Sequence, residues 1–260
     1  MRMREMFQRI GRIVALAVAA FIVYAVAHVL VALSPGVLFS DHYTHKNFTV
    51  HMRETVPPQI EVVLDRVEAL LATSELDDQG LHHEIYIFNS PRLVRFLMLR
   101  DVHFGANLPN GTTYITDANV EENLARPWPR LGPNDRRLRT LSKSVAHEIA
   151  HRLLRRKVGW QRHRKMPVWL KEGYCEYVAQ GAAIDEEVGL AILLQPGHVS
   201  QPGYPLFQNR LMVEYLINVR GLSIDELIAE PPAPRQVQDE VIVGLQQDQA
   251  GFLRRLRARQ

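Results

Sequence analysis

The segment SVAHEIAHRLL, residues 144–154, places His147 and His151 four positions apart and Glu148 directly after the first histidine. Residues four apart on an α-helix lie on the same face, so both imidazoles can reach one ion. Glu148 lies about 100° around the helix from His147, where it can flank an ion without binding it. The spacing therefore predicts a metal site on a helix, with a carboxylate beside it.

The residues around this motif predict how its helix packs. Apolar side chains recur at three- and four-residue steps, at Leu138, Leu141, Val145, Ile149 and Leu153. Such a stripe is typical of a helix that buries one face. We expect a helix over residues 138–156 whose histidines project from the opposite side.

A second segment, Trp169-Leu170-Lys171-Glu172-Gly173, supplies a candidate third ligand. A catalytic zinc site has three protein ligands and an open fourth position. Pro167 suits the first turn of a helix over residues 167–180, on which Glu172 and Glu176 share a face. Glu172 would bind the metal, and Glu176 could accept the second ring N–H of a ligand histidine. The packing face opposite them is predicted at Leu170, Tyr174, Tyr177 and Val178.

The two segments together, SVAHEIAHRLL and MPVWLKEGYCEYVA, resemble the gluzincin metallopeptidases, the thermolysin-like or peptidase MA-like group. The strong similarity covers roughly residues 140–180, and a weaker one extends from about 47 to 220. The resemblance implies zinc bound by His147, His151 and Glu172, with Glu148 as the general base for a zinc-activated water. It also implies that Glu176 supports a ligand histidine.

Two departures from the family narrow the activity. The aminopeptidase branch carries Gly-Ala-Met-Glu-Asn upstream, whereas this chain has Phe104-Gly105-Ala106-Asn107, without the glutamate. Endopeptidase action on a peptide or protein is therefore favoured over aminopeptidase action. The family often uses a Tyr or His to stabilise the oxyanion, and Tyr204, Tyr215 and His163 all stay open for that role.

Other interpretations of the motif were weighed against catalysis. The histidine pair could form a closed structural zinc site, lie on the surface without function, or belong to a non-catalytic zinc-bearing scaffold protein. Glu148 favours a hydrolase, because a pure metal site needs the histidines but not that carboxylate. Neither the substrate nor the oligomeric state follows from the sequence.

The N-terminus predicts a membrane anchor. Four arginines within residues 1–12 precede an apolar stretch over residues 13–33, in which His28 is the only strongly polar residue. This length suffices to cross a bilayer core, and it exceeds the apolar core of a cleavable signal peptide. We favour an uncleaved signal anchor over a cleaved signal peptide. Residues 1–12 should stay cytoplasmic, which places the domain from about residue 36 outside, in the periplasm or extracellular space.

Charge is concentrated at two places. Residues 1–12 carry a net +3, equal to the net charge of the whole chain, so the basic character does not indicate nucleic-acid binding. Residues 126–165 form a basic band with thirteen Lys and Arg against Asp135 and Glu148. We interpret the band as a solvated face neutralised by acidic segments; contact with anionic lipid or an acidic substrate is the alternative.

The single cysteine limits covalent stabilisation. Cys175 alone cannot form an intrachain disulfide, so the external domain must be held together by its core. We interpret Cys175 as a packing residue rather than a ligand or nucleophile.

The remaining pattern predicts an α+β domain over residues 36–230, with a small mixed sheet and a mainly helical C-terminal half. Strands are predicted at 46–52, 81–88 and 112–116, and helices at 57–72, 91–99, 183–194, 206–219 and 223–229. In gluzincins a sheet edge beside the metal helix holds the substrate backbone, and residues 112–116 are the candidate edge. Residues 120–136 are predicted to be a loop anchored by Trp128. His82 and His83 are not expected to chelate, since adjacent strand residues point to opposite faces. The tail over residues 235–260 is predicted to dock as a helix.

Overall fold

The structure is a computed structural model that describes residues 2–99, 102, 104–127, 139–181, 184–195 and 201–258. It combines α-helices with two small sheets and begins with one apolar N-terminal helix. The predicted α+β class is therefore confirmed at this level.

The N-terminal helix, α1, runs over Arg2–Leu33. Its stretch Phe7–Ala32 spans 26 residues and is long and apolar enough to cross a membrane, and none of the residues in its apolar window is buried inside the protein. A signal sequence at an N-terminus would share these properties. A short 3₁₀ turn, Pro35–Leu38, leads from α1 into the first strand.

The main sheet has five strands, separated in the chain by two helices. The strands are β1 (Asp41–His45), β2 (Phe48–Met52), β3 (His83–Ile87), β4 (Gly105–Asn107) and β5 (Thr113–Ile115). Helix α2 (Ile60–Leu71) connects β2 to β3, and α3 (Pro91–Met98) follows β3. The spatial order is β1-β2-β3-β5-β4; β2, β3 and β5 are parallel, whereas β1 and β4 are antiparallel to their neighbours. A helical crossover is what joining parallel strands requires.

The prediction that residues 112–116 form the free edge of the sheet was wrong. Residues 112–116 contain β5, which pairs with β3 on one side and with β4 on the other, so it has no free edge. The edge beside the next helix is β4, which the turn around Gly111 folds back against β5. β4 has only three residues, and their polarity does not alternate, so the sequence shows no recognisable strand pattern there.

The sheet separates two packed layers. Alternate residues along β3 and just beyond its end point to opposite faces. Ile85 and Ile87 join the core beneath α2, whereas Tyr86 and Phe88 pack against α3 and the end of α1. Six apolar positions of α2 are buried in the first of these cores: Ile60, Val63, Leu64, Val67, Leu70 and Leu71.

A second sheet of three short antiparallel strands precedes the motif helix: β6 (Ala118–Asn119), β7 (Leu124–Ala125) and β8 (Arg139–Thr140). β7 thus interrupts the loop predicted over residues 120–136. Trp128 lies outside the described residues, as does Leu138.

The C-terminal half is helical. Its helices are α4 (Leu141–Val158), α5 (Trp160–Lys165), α6 (Val168–Val178), α7 (Glu186–Leu194), α8 (Tyr204–Glu214), α9 (Ile224–Ala229), α10 (Pro234–Gln247) and α11 (Gln249–Leu256). α8 continues into one π-type turn, Tyr215–Val219. The predicted tail is docked, because Val237, Val241 and Phe252 are at most 3% exposed.

Helix α6 is buried more completely than one packing face predicts. Leu170, Tyr174 and Val178 are buried as expected, but Glu176 on the face assigned to the site is also 0% exposed. The reason is α8, which packs closely along α6. A Cβ atom added at Gly173 would lie 2.5 Å from the carbonyl oxygen of Asn209, so only glycine allows this approach.

Candidate metal centre

Helix α4 carries both histidines in its buried middle. Leu141, Val145 and Ile149 are at most 2% exposed and hold the helix in the core. His147 and His151 lie one turn apart with their ring centroids 4.9 Å apart. The last turn contains Arg155, Arg156 and Lys157, whose positive charges interact favourably with the negative end of the helix dipole. The helix ends before Gly159, which has a positive φ.

Helix α6 brings Glu172 to these histidines. Its Oε2 atom lies 3.5 Å from Nε2 of His147 and 3.4 Å from Nε2 of His151. Each residue offers one ligand atom, and all three atoms lie within 4.8 Å of one another. Ligand atoms about 2.0–2.2 Å from a tetrahedral ion are separated by about 3.3–3.6 Å. The donor set therefore fits a metal ion, and among the described residues it is the group that meets this test.

The same contacts shift the acidity of the ligands in the metal-free protein. Burial acts to raise the pKa of Glu172, but the imidazoles of His147 and His151 outweigh it and hold this pKa well below its usual range. Burial acts to lower the pKa of His147, yet the Glu176 and Glu172 carboxylates raise it to about 9. A metal ion that binds here would therefore have to displace a proton from His147 near neutral pH.

Glu176 lies behind His147. Its Oε1 atom is 2.8 Å from Nδ1 of His147 and 2.7 Å from the Nη2 atom of Arg139. The side chains of Glu176 and Arg139 are 0% and 5% exposed. Burial opposes the charge of Glu176, but Arg139 and His147 outweigh it and keep its pKa below the usual range. The carboxylate thus occupies a position from which it can orient the imidazole.

Arg139 is the site residue that the sequence does not reveal. It lies on β8, immediately before α4, and its guanidinium carbon is 5.7 Å from the centre of the Phe104 ring. Within an arginine-rich stretch no local pattern distinguishes it from a solvated neighbour. Its partner, Glu176, is on helix α6, so only the packing of α6 beside β8 identifies the pair.

A cleft of about 550 Å³ opens onto the three donor atoms. One wall is Phe104 and the edge strand β4, the other is α5, and Glu148 lies between them on α4. Arg155 fastens β4 to α4 through hydrogen bonds to Asn107 and to the carbonyl oxygen of Leu108. The cleft therefore combines the donor atoms, a free carboxylate and a strand edge.

Glu148 and Gly105 are in close contact across the cleft. A Cβ atom added at Gly105 would lie 3.0 Å from Cγ of Glu148 and 2.6 Å from the carbonyl oxygen of Tyr114. Glycine at this position thus lets the edge strand approach the carboxylate. The sequence singled out Phe104-Gly105-Ala106-Asn107 only as a departure from a family signature.

The three open oxyanion candidates lie in different places. His163 lines the cleft, and its ring centroid is 5.9 Å from that of His151. Burial lowers the pKa of His163 to about 4, aided by His151, so its ring is neutral near pH 7. Tyr204 and Tyr215 are not among the residues that line the cleft, and the Tyr215 hydroxyl donates to Glu240, 2.9 Å away.

His82, His83 and Cys175 behave as structural residues. His83 is 3% exposed and stacks on Phe48, with burial lowering its pKa to about 3, whereas His82 lies beside Glu84 at the surface. They point apart, as expected of strand neighbours. Cys175 is fully buried, which raises its thiol pKa and agrees with a packing role.

The described part of the basic band is divided between the surface and the interior. Arg156 and Lys157 pair with Asp78 and Asp225 at 3.4 and 2.8 Å, as a neutralised solvated face predicts. Arg139 and Arg155 differ, because both are buried and contribute to the cleft. The band is therefore not a uniform solvated face.

Comparisons with known proteins do not assign this chain to a family. No protein-family model matches this chain, and no curated protein matches it.

Proposed function

We propose that this protein is a membrane-anchored zinc metallopeptidase that hydrolyses internal peptide bonds in extended substrates. The observation that carries the proposal is the convergence of His147, His151 and Glu172 in a cleft that also holds Glu148 and a free strand edge. The proposed anchor is α1, with its arginine-rich end in the cytoplasm and the cleft outside.

Each residue has a defined part in this reaction. His147, His151 and Glu172 would hold zinc, and Glu176 would orient His147 through its Nδ1 atom. When bound, zinc acts as a Lewis acid and lowers the pKa of a coordinated water to about 7. Glu148 accepts the proton of the attacking water on its carboxylate and delivers it to the leaving amine nitrogen.

The strand edge supplies the substrate-binding element. An extended peptide can add to a free edge through main-chain hydrogen bonds, which hold the backbone without regard to sequence. β4 is that edge, and it borders Glu148 through Gly105. His163, on the opposite wall, is the remaining candidate for stabilising the oxyanion, because it alone of the three candidates lines the cleft.

The test of this function is reconstitution of activity. The full chain in detergent micelles is stripped with a chelator, reloaded with zinc and incubated with a diverse peptide library, and the products are read by mass spectrometry. We expect internal cleavages that vanish with the chelator and return with zinc. A zinc-loaded protein that cleaves no peptide would overturn the proposal in favour of a non-catalytic zinc-binding scaffold.

Replacing Glu172 by alanine is expected to weaken zinc binding by more than about 100-fold, since groups that only support a ligand are already worth about 10–100-fold. Competition with a fluorescent zinc indicator measures the affinity. Glu187→Ala is the matched control, because Glu187 is exposed on helix α7. Wild-type affinity in Glu172→Ala would remove Glu172 from the ligand set.

Replacing Gly105 by alanine is expected to lower kcat/KM while zinc affinity stays near the wild-type value. The new methyl group would meet the carbonyl oxygen of Tyr114 and Cγ of Glu148, so either β4 or the carboxylate must move. A misplacement of about 1 Å can cost about 100-fold in rate. Gly36→Ala is the control, since its nearest neighbour, the Tyr86 hydroxyl, would be 3.8 Å away. Unchanged kcat/KM would show that β4 does not position Glu148 or the substrate.

A further inference from the structure

Helix α3 contacts the second half of α1. The His28 Nε2–H group donates to the carbonyl oxygen of Phe96 at 2.9 Å, and the two rings are 5.1 Å apart. Tyr24 lies against the same ring, with centroids 6.0 Å apart. On its other side α3 buries Val94 and Leu97 against the sheet. It is thus wedged between the apolar N-terminal helix and the domain.

The end of α1 is also joined directly to the domain. The Tyr114 hydroxyl donates to the carbonyl oxygen of Ala32 at 2.9 Å, and Val31 packs against the same cluster as α3. These contacts fix the position of α3 along α1. They lie on the sheet face opposite to α2 and to the metal-site helix α4.

The remaining face of α3 is exposed and amphipathic. Arg92, Arg95 and Phe96 follow the spacing of one helix face, and Leu99 comes directly after the helix in a left-handed backbone conformation. Phe96 is 45% exposed and Leu99 is 75% exposed. Two apolar side chains flanked by two arginines are the composition of a helix that lies in a membrane interface.

The length of α1 sets the depth of this face. Arginine side chains are costly inside a bilayer, so Arg12 marks the cytoplasmic boundary of the hydrocarbon core. His28 follows sixteen residues later, which is about 24 Å along an α-helix. The core is about 30 Å thick, so His28 and the adjoining Phe96 lie about 6 Å inside the outer boundary. Interfacial helices bury their apolar faces by about 5–10 Å.

We propose that α3 is an interfacial helix, which inserts Phe96 and the adjoining Leu99 into the outer leaflet while Arg92 reaches the lipid phosphates. Long arginine stems allow their charged ends to reach the headgroup layer from this depth. The domain is then held on the bilayer by two elements rather than one. This inference rests on the proposed retention of α1 as a membrane span and is independent of the proposed catalysis.

The two-point attachment places the cleft near the membrane surface. Six residues separate Met98 at the end of α3 from Gly105 at the start of β4, so the edge strand lies within roughly 25 Å of α3. Together with the proposed catalysis, this position predicts that the substrates are membrane-proximal polypeptide segments.

Depth-dependent quenching tests the interfacial position in the full chain. Single cysteines replace Leu99 on α3, Val26 on α1 or Val62 on α2; the replaced side chains are 75%, 53% and 53% exposed. Each variant is labelled with an environment-sensitive fluorophore and reconstituted into phosphatidylcholine and phosphatidylglycerol vesicles that contain nitroxide-bearing lipids. Cys175 is fully buried. Wild-type protein treated with the same fluorophore checks that Cys175 is not labelled.

We expect several-fold stronger quenching of the label at position 99 than at position 62, approaching that at position 26. Quenching at 99 equal to that at 62, with position 26 quenched, would overturn the interfacial assignment of α3. Absence of quenching at position 26 would overturn it as well, because α1 would not be in the membrane. Peptide cleavage by the same vesicles is a separate readout, since none of the three positions lines the cleft.

Discussion

Replacing Glu148 by glutamine is expected to lower kcat/KM by at least about 10²–10⁴-fold, the usual contribution of a general base. The amide keeps the shape of the side chain but cannot accept the proton of the attacking water. Zinc content should stay at the wild-type value, because the three donor atoms belong to His147, His151 and Glu172. Steady-state cleavage of a library-derived peptide, paired with zinc analysis of the same sample, measures both quantities.

The control for this variant is Glu121→Gln, which removes an equal charge at an exposed position outside the cleft. It should cleave at the wild-type rate. Full activity in Glu148→Gln would assign the base to another group. A loss of activity that merely follows a loss of zinc would instead indicate that Glu148 supports the metal site and not the proton transfer.

Replacing Glu176 by alanine is expected to destabilise the metal-free protein by about 3–5 kcal/mol, the usual cost of breaking a buried ion pair. The variant leaves the Arg139 guanidinium, whose side chain is 5% exposed, without its carboxylate. It also removes the contact to Nδ1 of His147, so zinc affinity should fall by about 10–100-fold. Urea unfolding in the presence of a chelator gives the free energy of unfolding, and indicator competition gives the affinity.

A double variant separates these two effects. Replacing both partners, Arg139→Leu and Glu176→Leu, removes the ion pair without leaving an unpaired buried charge, and such replacements are often neutral for stability. We expect it to recover most of the unfolding free energy lost in Glu176→Ala, while zinc affinity stays low because His147 still lacks its partner. Recovery of both quantities would contradict the role of Glu176 in orienting the histidine.

Local patterns predicted the secondary structure well where a segment has a clear period. Six apolar positions of α2 are buried, and so are the described members of the predicted α4 stripe, because side chains three and four apart share a helix face. The tail is docked for the same reason. Short elements escaped prediction: β4 has three residues, too few for a period, and β1 was missed beside the recognised β2.

The candidate site was partly predictable. The four-residue spacing of His147 and His151 is a property of the helix itself, whereas the approach of Glu172 was predicted from the need for a third ligand and from the family resemblance. The Arg139–Glu176 pair and the contact of Gly105 with Glu148 carried no usable signal. In each case the partners belong to different elements, and their distance depends on how those elements pack.

What the sequence determined by itself was therefore the local content of the molecule: an apolar N-terminal helix, a two-histidine helix with a buried stripe, and a second helix bearing two carboxylates. These follow from covalent spacing and helical period alone. Only the tertiary structure decided that β4 is the free sheet edge, that Arg139 closes the buried charge pair, and that α3 lies against α1. Such choices depend on packing among segments distant in the chain, and no local period encodes which surfaces will meet.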